Sequence, residues 1–175
     1  MKKISKILIG LFVVICLVTF SIKPIEVREY NLGKGYAKIG VPLLSPDFLS
    51  TVEVEVPDRR EVCPTDSYKI TIDGVSQTFN LDDNKWWNII SLGIADLNND
   101  CEEEIMICRI NSEISPSYRT WSVYHFNKET KELEYLRDIF DGKMVYIKPL
   151  GYLKVTHQLH ETAYPMYETN YYTIR

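Results

Sequence analysis

The chain has 175 residues, enough for one domain with a substantial core and too few for two comfortable ones; 45% hydrophobic and 12% aromatic content, with all twelve Tyr after residue 29, excludes a disordered chain. Its formal charge of −4 understates the acidity of the main part: without Lys2, Lys3, Lys6 and Lys23, 16 of the 20 basic residues face 24 acidic ones, about −8. That balance argues against a nucleic-acid partner and suits divalent cations.

Lys2, Lys3 and Lys6 precede an uncharged run from Ile7 to Ile22, which Lys23-Pro24 closes. This is the pattern of an export signal. As a helix the run is about 24 Å long, longer than most signal-peptide cores and short of a comfortable bilayer span. The best cleavage site, Thr19-Phe20-Ser21, is poor, and Cys16 follows Val-Val-Ile rather than the small residue a lipoprotein signal requires. The reading is an uncleaved signal-anchor, a transmembrane helix over residues 7–22 that holds the chain in the cell membrane. Lysines ahead of the span keep the N-terminus in the cytoplasm and leave residues 24–175 extracytoplasmic. Cleavage would make the same domain secreted. The expected organisation is 1–23 signal-anchor or signal peptide, 24–50 linker and lead-in, and 51–175 an extracytoplasmic β domain.

Residues 24–50 mix Gly33, Gly35, Gly40, Pro42 and Pro46 with short apolar pieces and predict one strand. Beyond them the period is 2. Val52, Val54 and Val56 alternate with polar residues, as do Tyr68, Ile70 and Ile72, and Asp73-Gly74 before the next alternating run signals a hairpin. Glu104 to Ile110 is apolar on both faces, as in a central strand. Trp121–Phe126, Leu133–Leu136, Met144–Ile147, Tyr152–Val155 and Tyr167–Ile174 supply further strands, with Asp141-Gly142 as a turn. The fold class is all-β: an antiparallel sandwich or open meander of about nine short strands.

One loop carries chemistry. Counting Asp96 as position 1, Asn98 is 3, Asp100 is 5, Glu102 is 7 and Glu104 is 9, so side-chain oxygens stand at 1, 3, 5 and 9, and position 7 offers its carbonyl. Calcium takes six to eight oxygens, and alternate residues of a tight turn can aim theirs inward together. Position 12 is Ile107, not the bidentate Glu of an EF-hand, and a strand follows instead of a helix. Residues Ile94-Ala95-Asp96-Leu97-Asn98-Asn99-Asp100-Cys101-Glu102-Glu103-Glu104-Ile105-Met106-Ile107 resemble the calcium loop of FG-GAP and VCBS-type repeats, D-x-[DN]-x-D-G-x-x-[DE] leading into an apolar strand. The likeness continues through Trp121-Ser122-Val123-Tyr124-His125-Phe126 and covers about a fifth of the chain. It implies one structural Ca2+. Cys101 stands where the family has Gly, at a conformational cost of about 1 kcal/mol.

Elsewhere the signals are plainer. Cys63, Cys101 and Cys108 are odd in number, allowing a bridge from Cys63 to Cys101 or to Cys108, or three free thiols. His157 and His160 fall on opposite faces of a strand, and His125 reads as a core-edge residue. Of Trp86 and Trp87, one packs and the other is free to meet a sugar or protein partner. Asp82, Asp83 and Asp138 read as solvated carboxylates in turn-like stretches. No Ser/His, Cys/His, paired-carboxylate or phosphate-loop pattern is legible, so a binding or scaffolding domain leads. The rivals are a cell-envelope hydrolase acting on glycans, whose carboxylates meet only in three dimensions, and an envelope inhibitor or protective protein.

Overall fold

Among the described residues, alternating sequences of the kind just discussed assemble into thirteen strands, every pair of neighbours antiparallel. The computed structural model describes residues 22–32, 37–56, 67–81, 87–111, 119–159 and 166–174. Residues 1–21, and with them all but the last residue of the expected 7–22 helix, lie outside the described residues, as do Cys63, Asp82, Asp83, Trp86 and His160; that last residue, Ile22, begins a strand. Among the described residues no helix is long and apolar enough to cross a membrane.

Three sheets form. The first contains β3 (Ala37–Ser45), β4 (Phe48–Val56), β5 (Ser67–Ile72) and β6 (Val75–Asn80) in chain order. The second has the order β10-β9-β8-β7-β2, with β2 Arg28–Asn31, β7 Trp87–Ala95, β8 Glu104–Asn111, β9 Arg119–Asn127 and β10 Glu132–Phe140. The third has the order β1-β11-β12-β13, with β1 Ile22–Pro24, β11 Lys143–Ile147, β12 Tyr152–Leu159 and β13 Met166–Thr173.

Two apolar cores show how the sheets stack. One joins Val41, Val52, Val54 and Ile70 of the β3–β6 sheet to Leu92, Ile94, Ile105 and Ile107 of the five-stranded sheet. The other joins Met106, Cys108, Trp121 and Val123 of that same sheet to Met144, Leu153 and Val155 of the third. Successive residues of β8 therefore enter different cores, which is why that strand is apolar throughout: the five-stranded sheet is the middle layer of three and is buried on both faces. Close packing leaves no room for a side chain at Gly93, where a Cβ would lie 2.8 Å from Trp121 Cζ3 and 3.0 Å from Val27 Cγ1.

The all-β, antiparallel expectation holds, while the expected sandwich or open meander of about nine short strands becomes, among the described residues, thirteen strands in three layers. The missed strands lie mainly in residues 22–50, of which 24–50 were expected as linker and lead-in with one strand. There β1 pairs with β11, β2 with β7 and β3 with β4, so the stretch contributes to every sheet. Strands of three and four residues are too short to display a period, and Gly40 and Pro42 disguise β3. As an edge strand, β3 tolerates the missing proline N–H. The hairpin signalled by Asp73-Gly74 is present: Ile72 pairs with Val75, and both turn residues have positive φ, 50° and 84°, as a type I′ turn requires.

Candidate functional site

The acidic loop joins β7 to β8 at one end of the middle sheet. Its side chains fold it back on itself. Asp96 accepts the amides of Asp100 at Oδ1 (3.2 Å) and Cys101 at Oδ2 (3.1 Å); Asn98 Oδ1 also accepts the Asp100 amide, and Asp100 Oδ1 accepts that of Glu102 (2.8 Å). Asn98 Nδ2 donates to Asp100 Oδ2 at 2.8 Å. Asn99 and Cys101 sit at φ 57° and 73°, so Cys101 adopts the left-handed conformation that glycine would reach without strain.

Around this turn, basic residues from two other strands and from the turn between β9 and β10 are arranged in a collar. Lys128 reaches Glu102 at 2.6 Å and Asp47 at 3.1 Å. Arg28 meets Glu103 at 2.5 Å, the same carboxylate accepts the Leu44 amide, and Lys23 donates to Asn99. The Glu102 side chain is thus committed to Lys128, and Glu103, which the spacing did not single out, fastens the loop to β2 and β3.

Glu104 differs from all of these. It is 1% exposed; Oε2 accepts the Leu97 amide at 2.8 Å, while Oε1 is buried without a hydrogen-bond partner, 4.0 Å from His125 Nδ1. Burial, reinforced by the charges of Asp100 and Asp96, pushes its carboxyl from the ordinary 4.5 up to about 8. A proton or a cation relieves that crowding. As the side chains stand, no three His, Cys, Asp or Glu among the described residues are grouped closely enough to hold an ion, because the loop's oxygens serve its own amides.

A second constellation, not legible in the sequence, lies where the edges β6 and β10 face each other. An open cleft of about 380 Å³ is lined by Tyr68, Phe79, Arg109, Tyr124, Tyr135 and Asp138, with Thr78, Asn80 and Ser122 beside them. Arg109, 8% exposed, meets Asp138 Oδ2 at 2.6 Å, and Ser122 donates to Asp138 Oδ1 at 2.8 Å. The hydroxyls of Tyr68 and Tyr124 are bonded to each other. Burial holds both phenols above the usual tyrosine range, and burial with Asp138 pushes Tyr135 up to about 12, so all three remain neutral donors. Asp138, expected as a solvated carboxylate in a turn-like stretch, is exposed but lies in strand β10, anchored to a buried guanidinium.

A bulge in β10 makes this cleft. Tyr135 pairs with Tyr124, Arg137 with Val123 and Asp138 with Ser122, so one residue of β10 is left over and Tyr135 and Asp138, three apart, reach the same face. Alternation alone would send them to opposite faces. Gln77 of β6 spans the gap to β10, accepting the Leu133 amide and donating to the Leu133 carbonyl.

The remaining candidates are quieter. Cys101 is an exposed free thiol; Cys108 is free and buried, pushed up to about 11 by desolvation, and so unreactive. His157 packs against Phe140, ring centres 5.0 Å apart, with Nε2 3.6 Å from Glu168. No protein family, curated protein or solved structure matches the chain.

Proposed function

We propose that this protein is a membrane-tethered extracytoplasmic binding domain whose acidic loop, residues 96–104, takes one structural calcium ion. The tether rests on the three lysines ahead of the Ile7–Ile22 apolar run. The calcium reading rests above all on Glu104: a carboxylate this deeply buried, with one oxygen unpaired and two aspartates nearby, is costly without a counter-charge. The resemblance of residues 94–107 to FG-GAP and VCBS-type loops supports the same choice. Asp96, Asn98, Asp100 and Glu104 would supply side-chain oxygens and Glu102 its carbonyl. Glu104 is too enclosed to meet a substrate, so its raised pKa reflects the cost of burying a carboxylate rather than a role in acid catalysis.

Binding is preferred to glycan hydrolysis because the described lining of the cleft holds one carboxylate, Asp138, whereas glycoside hydrolysis uses two facing each other across the bond. The test is a thermal melt of the full chain in calcium and in chelator. Exterior calcium modules have a Kd of about 10⁻⁴–10⁻³ M, so ten times that concentration adds about 1.4 kcal/mol. The midpoint rises with calcium in the parent protein and stays put in Asp96→Ala. Equal midpoints in calcium and chelator for the parent protein overturn the reading.

A further inference from the structure

The β6–β10 cleft has the attributes of a built ligand site. Its volume of about 380 Å³ falls within the range of small-molecule pockets, about 300–1,000 Å³. Its floor is a connected polar network in which Arg109 and Ser122 fix the Asp138 carboxylate from within, while the Asp138 side chain remains 42% exposed. Its wall is aromatic: Phe79 and Tyr124 lie 4.6 Å apart, Tyr124 and Tyr135 5.7 Å apart, and Tyr135 is 55% exposed at the mouth. The β10 bulge puts the exposed ring and the anchored carboxylate on one side, and bulges recur next to functional sites for this reason.

Charge and polarity select the occupant. One guanidinium and one carboxylate neutralise each other at 2.6 Å, so a phosphate or carboxylate ligand finds no uncommitted positive charge, and a cation no uncommitted negative one. A purely apolar ligand would strip water from the 42% exposed Asp138 side chain without returning a hydrogen bond. What remains is a neutral molecule with an apolar face for an aromatic ring and hydroxyls for mixed donors and acceptors. We propose that the cleft binds an uncharged sugar ring, its C–H face on Tyr135 and its hydroxyls on Asp138, Arg109 and the β6 rim. The site is separate from the calcium loop and does not depend on an ion there.

Isothermal titration of the full chain, held in a detergent without a sugar head group, tests this with cellotriose, maltotriose and the N-acetylglucosamine trimer. Glucuronate and glucose 6-phosphate probe the charge argument. At least one neutral trisaccharide is expected to bind with a Kd of about 1 mM or below. Tyr135→Ala and Asp138→Asn each weaken it about tenfold or more, while Tyr167→Ala on β13 leaves it unchanged. Tyr135 is largely exposed and Asp138→Asn retains its shape, so both variants keep the parent's thermal midpoint within a few degrees. The proposal is overturned if no neutral sugar in the panel binds below about 10 mM, if binding survives both substitutions, or if the charged sugars bind more tightly.

Discussion

Two carboxylates on the middle sheet meet opposite fates. Glu104 is buried beside Asp96 and Asp100, with one oxygen unpaired and its carboxyl raised to about 8. Asp138 is half-open to solvent, and both of its oxygens are held, one by Arg109 and one by Ser122. The same functional group is thus frustrated in one place and balanced in the other. The lesson is that net charge of a surface says little about what it binds. The frustrated site calls for a cation or a proton, the balanced site for a neutral partner.

The largest effect separates the two by pH. Because folded Glu104 holds its proton more tightly than the unfolded chain does, its contribution to stability is full below about 4.5 and is lost as pH rises through about 8. In chelator the loss amounts to roughly 4 kcal/mol, a fall of roughly 10 °C in thermal midpoint between pH 4.5 and 8. Glu104→Gln, which retains an oxygen for the Leu97 amide, abolishes most of that slope and is the more stable protein at pH 8. Saturating calcium flattens the parent's slope as well, since the ion favours the ionised form. A matching slope change in Asp138→Asn would erase the contrast between the two carboxylates.

Next comes the balanced pair. Arg109→Met leaves Asp138 without its buried partner and is expected to cost about 2 kcal/mol in chemical denaturation, whereas Asp138→Asn, which keeps hydrogen bonds to Arg109 and Ser122, costs about 1 kcal/mol. The reverse order would mean that the buried guanidinium depends on the charge of Asp138 and not only on its hydrogen bonds. The smallest effect concerns the turn itself. Cys101→Gly relieves a side chain at φ 73° and stabilises the protein by about 0.5–1 kcal/mol, with a larger gain in calcium affinity than in the calcium-free fold if the turn must tighten around the ion. Parallel melts and calcium titrations of this variant check both parts.

Much of the architecture was legible because strand sterics are local. The alternation of Val52, Val54 and Val56 and of Tyr68, Ile70 and Ile72 places each set in one core, and the doubly apolar Glu104–Ile110 stretch is buried on both sides. The acidic loop was legible because its spacing is contained in nine residues. Two things were not. Strands β1 to β3 are short or interrupted by Gly and Pro, and their partners β11, β7 and β4 lie at very different distances along the chain. The cleft draws on β5, β6, β8, β9 and β10, and its key geometry is a bulge that shifts register without leaving a composition signal.

By itself the sequence determined which faces of its strands are apolar, where Asp-Gly turns the chain, and that oxygen-bearing side chains stand at alternate positions of one loop. Period-2 sterics and positive-φ turns are properties of a few adjacent residues. Only the tertiary structure decided that one sheet is sandwiched between two others, that Glu104 loses its water while Asp138 keeps some, and that Tyr135 and Asp138 share a face. Solvation and register depend on what packs against a residue from far along the chain, so they are settled when the layers close.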